Sequence, residues 1–211
     1  MIENYYILVY LCFIIAIQSC AGIGILVLGT PFLLILNYSI LETLFILLPL
    51  SILTSFINLL IMQFSKKEIK VVPLKGLIKF FVICVPSIIV GLLILKYFQD
   101  YINFKILVSI VIFISIFLVS IKNKISFKIN FYRISILSII GILHGITNSG
   151  GTLMSLLISY DEEKTNARYS ITFFYLLLAL FQYIITITIF HNSFIFFDIT
   201  SYILILIFGI L

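Results

Sequence analysis

An all-α fold, a polytopic transmembrane helical bundle, is predicted by three observations on this chain. Hydrophobic residues fill 63% of its 211 positions and charged residues only 10%. The charges collect in short loops between apolar runs of about the 20 residues that a bilayer crossing needs. Two further uncharged runs are too long for one crossing, and glycine and polar residues interrupt both. No soluble core requires so much apolar surface, so the lipid bilayer is the expected partner.

The first element is one of the two long runs. Asn4 to Leu41 is 38 residues without a charge, about 57 Å as a single helix against a hydrocarbon core of about 30 Å. The segment "QSCAGIGILVLGTP", residues 18–31, breaks it. The N-terminus lacks a basic stretch and its apolar run is too long for a signal peptide, so none is expected. Ordinary spans follow at 43–65, 77–98 and 104–121. The second long run, Ile134 to Tyr160, is 27 residues, about 40 Å as a helix. It is broken by "HGITNSGGTLMS", residues 144–155, and a span at 169–190 comes next. A last one begins near Tyr202.

Seven of the ten glycines lie in or beside the two breaks: Gly22, Gly24, Gly29, Gly141, Gly145, Gly150 and Gly151. Gly141 and Gly145, four apart, read equally well as a close helix–helix contact. A shift of 126 places Gly24 on Gly150 and Gln18 on His144, and repeats the order of break and span. Residue identity under that shift is very low, so the repeat rests on architecture. Residues 1–125 form the first transmembrane repeat and 126–211 the second.

Loop charge gives the repeat its sense. Lys66, Lys67, Lys70, Lys75 and Lys79 against Glu68 mark a cytoplasmic loop, and Lys122, Lys124, Lys128 and Arg133 mark another. The counterpart of 66–79 in the second half, after Phe190, has no Lys or Arg. Equivalent loops then face opposite sides, which requires an inverted repeat whose halves each open with a re-entrant pair of half-helices. The same shift leaves the second half incomplete at Leu211. A truncated chain is therefore expected, inactive unless a homodimer or partner chain covers its exposed face.

The net charge of +5 sits in these loops. It describes topology, and no nucleic-acid partner is expected. Cys12, Cys20 and Cys84 have no ligand spacing and read as packing residues. "GITNSGGT" has the glycine spacing of a P-loop, but Gly151 stands where the lysine belongs. No nucleophile–base pair or metal-ligand set appears in any span, so neither an enzyme nor a bound cofactor or metal is expected.

Backbone without helical partners survives at membrane depth only when buried in protein or lining a cavity. A half-helix restarting there points its amides and a partial positive charge inward. Asn148, Ser149 and Thr152 are candidate caps or donors at such a restart, with Thr147, Gly150 and Gly151 beside them. Gly22, Gly24, Thr30 and Pro31 are the candidates from the first break, and Gln18 is the counterpart of His144. No Asp, Glu, Lys or Arg lies in the middle of a span, which argues against a carboxylate relay. His144 reads either as a neutral histidine hydrogen-bonded across helices or as a proton-coupled or anion-contacting group. Ser51, Ser55, Asn58, Gln182 and Thr186 read as interhelical hydrogen-bonding residues. A small anion is the solute such a site favours. The alternative is a non-transporting membrane subunit or scaffold whose breaks serve packing only.

With "GIGILVLGTPFLLIL" in one half and "HGITNSGGTLMSLLIS" in the other, the chain resembles the TauE/SafE family of sulfite exporters across most of residues 8–190. Those proteins carry a glycine-rich break in each of two repeats. The matching positions here are Gly22, Gly24 and Pro31, then Asn148, Gly150 and Gly151. The chain departs from the pattern at Thr152, where many members have proline. The resemblance implies a multi-pass secondary transporter of the bacterial inner membrane for sulfite, sulfonates or related small organic anions.

Overall fold

A computed structural model describes residues 5–21, 24–64, 74–121, 129–159, 164–190 and 207. Helices order as α1 (Tyr5–Ala21), α2 (Ile25–Ile35), α3 (Ile40–Phe64), α4 (Leu74–Phe98), α5 (Phe104–Ile121), α6 (Ile129–Thr147), α7 (Gly150–Ser159) and α8 (Lys164–Ile189). No strand occurs among the described residues. Three helices are long and apolar enough to cross a membrane: Ile40–Phe64, Leu74–Phe98 and Asn166–Ile189. The expected element near Tyr202, the loops at 65–73 and 122–128, and Gly22 lie outside the described residues.

Local chemistry sets several helix ends. Asn37 takes the left-handed conformation (φ 68°) and closes α2. Tyr38 N–H donates to Leu33 O at 3.0 Å and Asn37 N–H to Leu34 O at 3.1 Å, which satisfies carbonyls the helix leaves over. Ser39 and Glu42 then start α3 with a reciprocal cap. Glu42 N–H donates to Ser39 Oγ at 3.2 Å, and the Glu42 carboxylate accepts from Ser39 N–H at 2.7 Å. Within α4 the turn Phe80–Cys84 is a π-helix, the one-residue widening that re-aims the faces of a helix.

Each long run breaks and folds back on itself. In the first, the Tyr10 ring stacks on Phe32 with centroids 3.4 Å apart, while Gln18 Oε1 accepts from Ile25 N–H at 2.6 Å. Those pairings make α1 and α2 antiparallel. In the second, a Cβ on Gly150 would meet Ile140 O, and would lie 2.7 Å from His144 Cβ, so α7 starts back along the turn of α6 it has just left. Asn148, with φ 62°, supplies the reversal.

The remaining contacts orient the bundle. At one end Lys105 Nζ donates to Asn37 Oδ1 at 2.8 Å and Lys96 Nζ to Ile189 O at 3.2 Å. At the other, Arg168 at the start of α8 donates to Ser19 O at 2.5 Å, near the end of α1. The α3 and α8 helices pack along each other. The α4–α6 crossing is nearly backbone to backbone: a Cβ on Gly145 would sit 2.6 Å from Ile88 O and 3.0 Å from Gly91 Cα. A Cβ on Gly141 would sit 2.6 Å from Cys84 O. Of the two readings of the Gly141/Gly145 spacing, the structure has the close helix contact, and Gly91 is its partner. Cys84 is buried and Cys12 half-buried, both as free thiols.

Candidate functional site

The starts of the two short helices meet on one side chain. Gly24 precedes α2 and Gly151 lies in the first turn of α7. A Cβ on Gly151 would stand 2.5 Å from Cε1 and Cζ of Tyr175 and 2.6 Å from its Oη. A Cβ on Gly24 would stand 2.8 Å from Cδ1 and 3.0 Å from Cζ of the same ring. Tyr175 is buried and lies near the middle of α8. The absent side chains of two glycines, 127 positions apart, thus make room for one aromatic ring. Gly150 differs, since what crowds it is the α6 backbone and His144. The sequence offered no signal for Tyr175, which sits unmarked in the apolar stretch "TFFYLLLAL".

The first amides of a helix have no intrahelical acceptor, and each break deals with them differently. At α2 the Gln18 side chain does so. Its carbonyl oxygen accepts from Ile25 N–H, and its amide Nε2 donates to Thr54 Oγ1 and Ser55 Oγ on α3, both at 3.1 Å. Gln18 is therefore a clamp between the break and α3. Thr30 and Pro31 lie one turn further along α2, Thr30 buried and Pro31 half-buried. Pro31 has no N–H to donate into the helix.

At α7 the hydroxyls bond mainly to carbonyls. Thr147 Oγ1 donates to Leu143 O at 2.7 Å and accepts from Ser149 N–H at 3.3 Å. Ser149 Oγ donates back to Thr147 O at 3.1 Å. Thr152 Oγ1 reaches Ser149 O and Ser115 Oγ of α5, both at 2.9 Å. Asn148 Nδ2 donates to Thr30 Oγ1 at 3.2 Å, a direct bond between the two hairpins. Asn148 and Ser149 side chains thus do not cap α7, as their residue types suggest; the bonds they make run to Thr30 and Thr147.

His144 is fully buried in the last turn of α6. The expected cross-helix hydrogen bond exists, but on its backbone: Gln182 Nε2 donates to His144 O at 2.9 Å, and Asn148 N–H to the same oxygen at 2.9 Å. Both ring nitrogens lack a partner among the described residues, as do Asn148 Oδ1, Gln182 Oε1 and Ser51 Oγ. The shift of 126 pairs Gln18 with His144 by position, and each lies near the end of the helix before a break. Their chemistry differs, for Gln18 uses its side chain and His144 its carbonyl.

Of the twelve residues singled out from sequence, Thr30 and Asn148 touch directly, Gly24 and Gly151 converge on Tyr175, and Gln18 and His144 flank the breaks. Among the described residues no group of three or more His, Cys, Asp or Glu could hold a metal ion. No protein-family model matches the chain, and neither a curated protein nor a solved structure matches it.

Proposed function

We propose that the chain is a secondary transporter of a small anion of the sulfite or sulfonate class, in a bacterial inner membrane and built on the TauE/SafE plan. The observation that carries this reading is the meeting of two half-helix starts, Gly24 and Gly151, against the ring of Tyr175. Amides at the starts of helices suit an anion without any charged side chain. Support for the inverted repeat comes from the hairpins. In the first, the end of α1 is bonded through Ser19 O to Arg168 at the start of α8, and the second runs up α4 past Gly91 before turning. Inverted repeats with interrupted helices and a central site are a common plan for secondary transporters.

A second reading, a non-transporting membrane scaffold, draws on the same atoms. Tyr175 and the α4–α6 crossing fill the space that the glycines leave. Flux decides between them. Purified protein in proteoliposomes, with no other component, is expected to exchange radiolabelled sulfite or a sulfonate, and Gly24→Leu to abolish the exchange while still inserting. Absence of exchange for every anion of this class would leave the scaffold reading in place.

A further inference from the structure

We infer that Tyr175 plugs the anion seat from within: its phenol stands where the solute goes, and a small oxyanion enters by displacing the hydroxyl. The inference rests on the transporter reading for the class of solute. The plug itself is read from one ring and the two helix starts it touches.

The hydroxyl end of the ring lies at both starts. A Cβ on Gly151 would stand 2.6 Å from Tyr175 Oη, so the hydroxyl lies against the main chain in the first turn of α7. At the start of α2 the Gly24 main chain hydrogen-bonds the same hydroxyl. Gly24 O already accepts from Val27 N–H at 3.0 Å, and the Gly24 N–H donates to the phenol oxygen. The next amide, Ile25 N–H, donates to Gln18 Oε1. Two of the amides that α2 leaves over are thus taken by neutral side-chain oxygens. Gln18 is tied at its other end to Thr54 and Ser55 of α3. The phenol is a hinged occupant, turning on the two side-chain torsions of a tyrosine.

Ring and anion are alternatives by space and by chemistry. With the ring in place, not even one carbon fits at Gly151, and a Cβ on Gly24 would run into Cε1. What the seat accepts is shown by the phenol oxygen, a buried acceptor facing main-chain amides. A sulfite or sulfonate oxygen is an acceptor of the same kind with charge added. Hydrogen bonds to it are stronger, and it draws on the partial positive charge of both helix starts, which a neutral phenol uses little. The phenol has the advantage of attachment. An empty carrier needs such a stand-in, because main-chain amides without partners are costly at membrane depth. Tyr175 supplies the acceptor until the anion does.

Binding to the full chain in nanodiscs tests this, read by scintillation proximity with radiolabelled sulfite and with radiolabelled methanesulfonate. Exchange in proteoliposomes is measured on the same preparations. Tyr175→Phe keeps the ring and removes the acceptor of the Gly24 N–H. The plug then loses about one hydrogen bond, and apparent affinity for the anion should rise about two- to tenfold. Tyr175→Ala vacates the hollow and should raise it at least about tenfold, since a minor competent state is populated at about 0.1–10%. The sign separates the roles. A phenol that donates to the anion would give weaker binding in Tyr175→Phe, and a ring that only packs would give no change. Either result overturns the plug, and the Phe variant delivers it even where Tyr175→Ala does not fold. Tighter binding without exchange of either anion sustains the plug and ends the transporter reading alone. Exchange with unchanged affinity does the reverse. No binding of either anion to wild type or Tyr175→Phe also overturns the plug, whatever the exchange.

Discussion

Substituting Gly151 by Ala tests whether the breaks are shaped around Tyr175. The added carbon would stand 2.5 Å from Cε1 and Cζ of that ring and 2.6 Å from Oη. Carbon atoms rest about 3.5–4.0 Å apart, so the ring has to retreat by about 1 Å. Overpacking of that order costs about 1–3 kcal/mol. Tyr175→Ala alone should cost about 3–5 kcal/mol, as loss of a buried aromatic usually does. Combined, the two changes should be less damaging than their sum by about 1–3 kcal/mol, because the methyl then occupies space the ring has left. Gly150→Ala is the control. Its new carbon would meet backbone, Ile140 O and His144 N, which no side-chain deletion moves, so Tyr175→Ala should add to it within about 0.5 kcal/mol. Unfolding in mixed micelles, followed by tyrosine-independent circular dichroism, gives all the free energies. Additivity of Gly151→Ala with Tyr175→Ala would refute the reasoning.

Three other outcomes are expected. Asn148→Gly should change stability by less than about 1 kcal/mol, losing the bond to Thr30 but relieving the left-handed backbone, whereas Asn148→Ala keeps a Cβ at φ 62° and should cost about 1–2 kcal/mol more; thermal melting separates them, and equal melting temperatures would discount the backbone argument. Gln18→Leu removes the acceptor of Ile25 N–H and the donor to Thr54 and Ser55, and should cost about 1–3 kcal/mol in the same assay. Single cysteines at positions 70 and 126 should label from the cytoplasm and one at 196 from outside; cytoplasmic labelling at 196 would rule out the inverted repeat.

The breaks were legible because length is a hard constraint. A run of 38 uncharged residues cannot be one straight crossing, and glycine with polar residues marks where it yields. The antiparallel fold-back of both hairpins follows from the same mismatch. What sequence did not disclose is which atoms occupy the glycine spaces. Spacing alone cannot say that Gly145 faces Gly91, since the partner lies 54 positions away on another helix. Tyr175 was invisible for a similar reason: a tyrosine in an apolar span has no pattern of its own, and only the fold brings two breaks to it. Of the two roles expected of Asn148 and Ser149, caps or donors, the structure has the donors, Asn148 to Thr30 on the other hairpin and Ser149 to the local carbonyl of Thr147, and spacing alone does not name those acceptors.

A protein that binds a charged solute in hydrocarbon without a charged side chain has only helix ends and neutral amides to offer. Charged side chains at such depth are costly and draw compensating groups around them. A broken helix avoids that cost, since each break places a carbonyl-rich end next to an amide-rich start. At the second break the pairing is tight: His144 O already accepts two hydrogen bonds, and Gly150 lies against the same turn. The arrangement costs the fold a left-handed Asn148 and buried atoms without partners. Such atoms are expensive in an interior built for stability alone. Packing explains Gly24, Gly141, Gly145 and Gly151, whose spaces are filled by Tyr175 and α4. It does not explain the Asn148 and Gln182 amide carbonyls and the His144 imidazole, which have no hydrogen-bond partner among the described residues.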